Sequence, residues 1–182
     1  MIDFLEKYSN KKNLFIGIAL VVFINTIAFP YFPLLFPETP FSPKNFLDIR
    51  FGFTAETVQD TLSFMQEEGR YIYGLSTTII DIPYAFIYGF VVSSLIVFLL
   101  KKRKTNLQPR KVQMLILMPF VITGFDLIEN AGIIYFINSY PHINPHIIQL
   151  ISISTQLKWT FAIITCFTVL TLLFMAYFRQ KK

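Results

Sequence analysis

The sequence predicts an all-α fold, an integral membrane four-helix bundle with both termini on the cytoplasmic side. It adds an outer proline-aromatic segment and a short amphipathic helix. Three observations predict it. Four apolar runs approach or exceed the roughly 20 residues that a helix needs to cross a hydrocarbon core. Only 15% of the residues are charged and 54% are hydrophobic, whereas about a quarter are charged in an ordinary soluble domain. The basic residues fall in short clusters between the apolar runs, where membrane topology places them. With 182 residues, the chain suits one membrane domain, 1–182. That is too small to hide so much apolar surface in its own interior.

The first span covers about residues 14–30. It follows Lys11 and Lys12 much as a signal-peptide core would, but it ends in Ala28-Phe29-Pro30-Tyr31 without a small-x-small cleavage site. It is therefore read as a retained span. The second, third and fourth spans cover about 79–100, 112–138 and 157–178. The fourth continues a longer helix, because Asn144-Pro145 has the form of an N-cap followed by proline at the first helical position.

Between the first two spans lies an outer cap segment, 31–78. Its beginning holds Pro33, Pro37, Pro40 and Pro43 among Tyr31, Phe32, Leu34, Leu35, Phe36 and Phe41. Proline at that density argues against helix, and the aromatics favour the headgroup region. Thr54-Ala55-Glu56-Thr57 then reads as a helix start with an acidic first turn. Ala55, Val58, Leu62 and Met65 share one face of this helix, and Gly69 is its expected C-cap.

The positive-inside rule orients the bundle. Lys7, Lys11 and Lys12 precede the first span, and Lys101, Lys102, Arg103, Lys104, Arg110 and Lys111 follow the second. Arg179, Lys181 and Lys182 follow the fourth. These are twelve of the sixteen basic residues, and an even number of spans puts all of them on one side. The expected location is the cell (inner) membrane. The net charge of +5 is thus a topology signal. No basic face with interleaved aromatics indicates nucleic-acid binding.

Ionisable groups within a span are costly and usually face the bundle interior or a water-filled cavity. Asp126, Glu129 and Asn130 stand at i, i+3 and i+4 on the third span, on one face, and Thr123 extends that face by a turn. The second span carries Tyr73, Thr77, Asp81, Tyr84 and Tyr88 at steps of three or four. The fourth helix adds Ser154, Thr155, Lys158 and Trp159, and the first adds Asn25 and Thr26. At about 1.5 Å per residue, Asp126 lies roughly 20 Å and Glu129 about 24 Å from the inner boundary of a core about 30 Å thick. Asp81, Lys158 and Asn25 reach the same outer layer.

Two carboxylates one turn apart, away from bulk water, repel one another. Such a pair can hold a proton near neutral pH and act as general acid and base. Asp126, Glu129 and Asp81 are therefore the expected catalytic groups. Asn130, Tyr84, Tyr88, Tyr73, Arg70, Lys158, Trp159 and Asn25 are the expected ligand contacts. The same polar groups would also serve as interhelical glue, at about 0.6–2 kcal/mol per hydrogen bond. For Lys158 alone, the sequence favours a stem that snorkels to the outer interface beside Trp159.

No cofactor is expected, since the chain has no P-loop and no dinucleotide fingerprint. No metal site is expected either: His142 and His146 in Pro-His-Ile-Asn-Pro-His supply too few ligands. Cys166 is the single cysteine, which precludes an intrachain disulfide. Gly124 and Gly132 are expected to permit close helix contact.

The Asp-x-x-Glu-Asn run at 126–130, together with Leu157-Lys158-Trp159, resembles small four-span bacterial membrane proteins that are mostly uncharacterised. The likeness covers the second to fourth spans. A fainter architectural likeness is to the EXPERA group, whose four spans place acidic residues, Asn and Trp around a lipid-accessible pocket. The types Asp81, Asp126, Glu129, Asn130 and Trp159 match that description, but the isomerase histidine of that group has no counterpart within a span here.

The expected function is an outer-leaflet polar pocket for a lipid-like or isoprenoid ligand, with carboxylate acid/base chemistry. The expected partners are membrane lipids and an apolar small molecule. Two alternatives stand beside it: a proton- or cation-coupled transporter or channel subunit working as a homo-oligomer, and a structural, partner-binding membrane protein.

Overall fold

The computed structural model describes residues 1–37 and 46–179. Pro40, Phe41 and Pro43 of the proline-aromatic segment lie outside the described residues, as do Lys44, Lys181 and Lys182. Among the described residues the chain is helical, without a strand. Four stretches, Lys11–Leu35, Ala55–Lys102, Arg110–Ser139 and Pro145–Phe178, are long and apolar enough to cross a membrane. Phe15, Phe86, Met114 and Phe167, one from each stretch, are more than half exposed. Apolar surface this widespread marks a face made for lipid or a partner.

A short helix α1 (Ile2–Tyr8) leads to α2 (Lys11–Phe23), whose first turn is capped by the Asn10 side chain accepting from Asn13 N. The helical path does not stop at Pro30. It passes through a π-turn (Ile24–Ala28), α3 (Phe29–Tyr31) and a 3-10 turn (Phe32–Leu35). The expectation that proline ends the helix here is corrected. Pro30 and Pro33 open their own turns, where a missing N–H costs little. Within the π-turn, Asn25 and Thr26 donate back to Val21 O and Val22 O, each at 2.8 Å.

The second apolar stretch also departs from its expected division. Thr54 caps α4 (Ala55–Ser76) by accepting from Thr57 N. The run then continues through a π-turn (Thr77–Asp81) into α5 (Ile82–Lys102). The cap helix therefore does not end at Gly69, which is buried inside α4. The break falls at Gln66, with φ 53° and ψ −170°. This left-handed backbone is uncommon for a residue with a Cβ. Arg70 Nη1 donates to Leu62 O at 3.0 Å, the carbonyl one turn before the break. That bond occupies an acceptor at the disrupted turn.

Next come α6 (Arg110–Ser139) and α7 (Pro145–Arg179). The expected start of α7 is correct: Asn144 Oδ1 accepts from His146 N at 2.9 Å. α6 lies between α5 and α7, while α2 leans on α5. At the end that holds both termini, Leu5, Ile96, Leu100, Ile116 and Leu172 form one apolar cluster. At the opposite, capped end, Leu47, Val58, Leu62, Phe136 and Ile148 form another.

Small residues and hydroxyls set the helix spacing. A Cβ on Gly132 would lie 2.5–2.7 Å from three Ile151 side-chain carbons, whereas one on Gly124 would meet nothing within 4 Å. Only one of the two glycines expected at a close contact is at one. Thr123 donates to Ala85 O (2.8 Å) and ties α6 to α5. Ser154 donates to Phe125 O (3.1 Å) and ties α7 to α6.

Candidate functional site

The polar residues of the long helices gather toward the capped end, around Lys158 on α7. Lys158 Nζ donates to Asp126 Oδ1 (3.2 Å), to Glu129 Oε2, and to the backbone carbonyl of Asp48 (3.1 Å). Asp126 and Glu129 share a face of α6 because they are three residues apart. Lys158 approaches that face from α7 and meets both. Its side chain is only 10% exposed. The expectation of a snorkelling Lys158 is therefore corrected: two carboxylates and a carbonyl hold the ammonium inside. Its nitrogen sits 5.4 Å from the Trp159 ring.

The second members of these pairs are also fixed. Asp126 Oδ2 accepts from the Tyr88 hydroxyl at 3.0 Å. Glu129 Oε1 accepts from the Thr155 hydroxyl at 2.8 Å. The Asn25 amide donates to the Tyr84 hydroxyl at 2.5 Å, and the Tyr84 and Tyr88 rings are 5.2 Å apart.

A cavity of about 820 Å³ runs beside this cluster. Its polar end is formed by Asp48, Asp81, Asp126 and Lys158, with Asn25, Tyr84 and Tyr88 close by. Its walls continue along Val92 and Leu95 of α5, Pro119 and Ile122 of α6, and Ala162, Cys166, Val169 and Leu170 of α7. Val21, Phe29 and Pro30 close it on the side of the first stretch. The two π-turns deliver Asn25 and Asp81 to this space, and π-turns inside α-helices occur frequently at functional sites.

The structure thus brings Asp81, Asp126, Lys158, Trp159, Tyr84, Tyr88 and Asn25 to one cavity. Four other expected residues stand elsewhere. Glu129 is fully buried behind Lys158 and does not line the cavity. Asn130 is fully buried too, and neither side-chain polar atom has a hydrogen-bond partner. Arg70 lies 4.5 Å from the Tyr140 ring, beside the Gln66 break. Tyr73 stacks on Phe46 at 4.8 Å; its hydroxyl accepts from Leu47 N (3.0 Å) and donates to Asp48 Oδ1 (2.8 Å). Tyr73 therefore fastens the connecting segment over the cavity.

Asp48 is the residue that sequence reasoning missed. It sits in Phe46-Leu47-Asp48-Ile49, an acid among apolar residues, and that isolation is the signal that could have found it. Burial pushes the Asp48 carboxyl above the ordinary carboxylate range, against the pull of the Lys158 ammonium and the Tyr73 hydrogen bond. Its segment is also held by Phe53 N donating to Ser152 Oγ at 2.8 Å.

Chemically, the cavity offers acceptors at one end and hydrocarbon along the rest. Asp81 and Asp126 both face it. Glu129 holds Lys158 in place and is shielded from any ligand there. No group of three or more His, Cys, Asp and Glu side chains with metal-site geometry occurs among the described residues. No family model, curated protein or solved structure matches the chain.

Proposed function

We propose that this chain is a multi-pass protein of the cell (inner) membrane, with both termini cytoplasmic, and that its cavity binds a lipid-like or isoprenoid ligand in the outer leaflet. One observation carries the reading: a cavity of about 820 Å³ with apolar walls and a charged end. Small-molecule sites are commonly about 300–1,000 Å³, mostly apolar, with a few placed polar groups. The basic clusters at the terminal end support the orientation, which puts the capped end and the charged groups outside. The first stretch leans on α5, and the cavity occupies the space between it and α7. That position gives an apolar chain a lateral route from lipid. Any acid/base step falls to Asp81 and Asp126, the two carboxylates of the expected catalytic set that face the space. A transporter has less support, because the terminal end closes on Leu5, Ile96, Leu100, Ile116 and Leu172.

Native mass spectrometry of the protein released from nanodiscs tests the reading. An amphiphile is expected to co-purify in near-stoichiometric amount. Ala162→Trp and Cys166→Phe, which fill the cavity wall, are each expected to reduce its occupancy at least tenfold. Equal occupancy in both variants, in protein of unchanged thermal stability, would show that the cavity is not the binding site. Orientation has its own check. Reporter fusions after Lys182 and within 103–109 are expected to read cytoplasmic, and a reporter within 38–45 external. The reverse pattern would overturn the outer-leaflet assignment.

A further inference from the structure

We propose that the ligand of this cavity is a single-chain amphiphile with a positively charged ammonium head, seated between Asp81 and Asp126. The proposal rests on the cavity reading above and goes further by fixing the sign of the head group.

The decisive observation is how Lys158 spends its hydrogens. An ammonium has three donors and no acceptor. Those of Lys158 go to Asp126, Glu129 and the Asp48 carbonyl. None of its own donors remains to receive a phosphate, sulfate or carboxylate, and Lys158 is the only basic residue among the described residues that line the space. The acids are in excess. Asp48, Asp81 and Asp126 all line it, and Glu129 lies directly behind Lys158.

Asp81 is the acid left over. It is 9% exposed, it lines the cavity, and its carboxylate has no hydrogen bond or ion pair among the described residues. A charge taken out of water without a partner is costly, and a ligand cation would relieve that cost. Tyr84 and Tyr88, whose rings flank this end of the cavity, present faces that attract a cation.

The geometry also sets the shape of the ligand. From Asp81 to Leu95 on one wall, and from Lys158 to Leu170 on the other, the lining extends roughly 18–21 Å at about 1.5 Å of helix rise per residue. Beyond the charged end that wall is almost wholly apolar, which suits one extended hydrocarbon chain. A prenyl diphosphate has the tail for this space and the wrong head.

The single tryptophan, Trp159, lines the cavity and supplies the readout. Its fluorescence is titrated in the full chain, in non-ionic detergent, with four amphiphiles of one chain length: hexadecylamine, hexadecanol, palmitate and hexadecyl phosphate. Hexadecylamine is expected to saturate the signal at a concentration at least tenfold below the other three. Asp81→Asn is expected to weaken hexadecylamine at least tenfold more than it weakens hexadecanol, whose retained binding reports an intact cavity. Palmitate or hexadecyl phosphate binding as tightly as the amine would overturn the ammonium assignment and leave the cavity reading standing. An Asp81→Asn protein that binds the amine normally would do the same. Failure of all four to bind would overturn both.

Discussion

Lys158→Met is expected to destabilise the folded protein by about 3–5 kcal/mol, the usual cost of removing one partner from a buried ion pair. Lys158 is the cation that Asp126 and Glu129 both meet. Without it, two carboxylates one turn apart face each other in an interior where neither is solvated. The connecting segment also loses the bond to the Asp48 carbonyl. Unfolding in a graded mixture of mild detergent and SDS measures the effect. The triple variant Lys158→Met, Asp126→Asn, Glu129→Gln is expected to recover most of the loss, because it removes the charges that were stranded. A single variant as stable as the wild type would show that the ammonium is not the buried countercharge. An unrescued triple variant would assign its contribution to packing.

Gly132→Ala is expected to cost about 1–3 kcal/mol, the range for forcing an extra carbon into a packed interior. The new Cβ would lie 2.5–2.7 Å from three carbons of Ile151. All three belong to a branched side chain with little freedom to withdraw. Shortening that neighbour with Ile151→Ala should relieve the clash, so the double variant is expected to be more stable than the two separate losses predict. Gly124→Ala is the control. Its Cβ meets nothing within 4 Å, and alanine is the better helix former by about 1 kcal/mol. Equal destabilisation at positions 124 and 132 would contradict the packing described for α6 against α7.

Length and apolar composition made the four long helices legible in the sequence. Helical spacing and depth then put Asp126, Asp81 and Lys158 at one level, and these residues do meet at one cavity. What spacing could not supply was the neighbour on each face. Asp126 and Glu129 share a face, yet α7 lays Lys158 across it, so only Asp126 opens to the cavity. Tyr73 and Asp81 lie on one predicted stripe, yet Tyr73 turns to the connecting segment, eight residues above. Asp48 escaped because its partner Lys158 is 110 residues away in sequence, beyond the reach of any local pattern. Gly69 looked like a helix end, while the break came at Gln66, a residue without the usual chemistry for one. Pro30 and Pro33 looked like stops, but each is the second residue of a new turn, where the rule against interior proline does not apply.

The two π-turns have a consequence of a historical kind. A π-turn closes on i+5 where an α-helix closes on i+4, so it is equivalent to one codon inserted into a helix of otherwise ordinary length. Asn25 belongs to one such turn, and Asp81 to the other. Each insertion rotates the residues that follow it by about 100°, one residue's share of a 3.6-residue turn, and leaves the flanking apolar segments intact. Two codons thus separate these helices from plain α-helical spans of the same apolar sequence, in which Asn25 and Asp81 would be turned away from the cavity they now line.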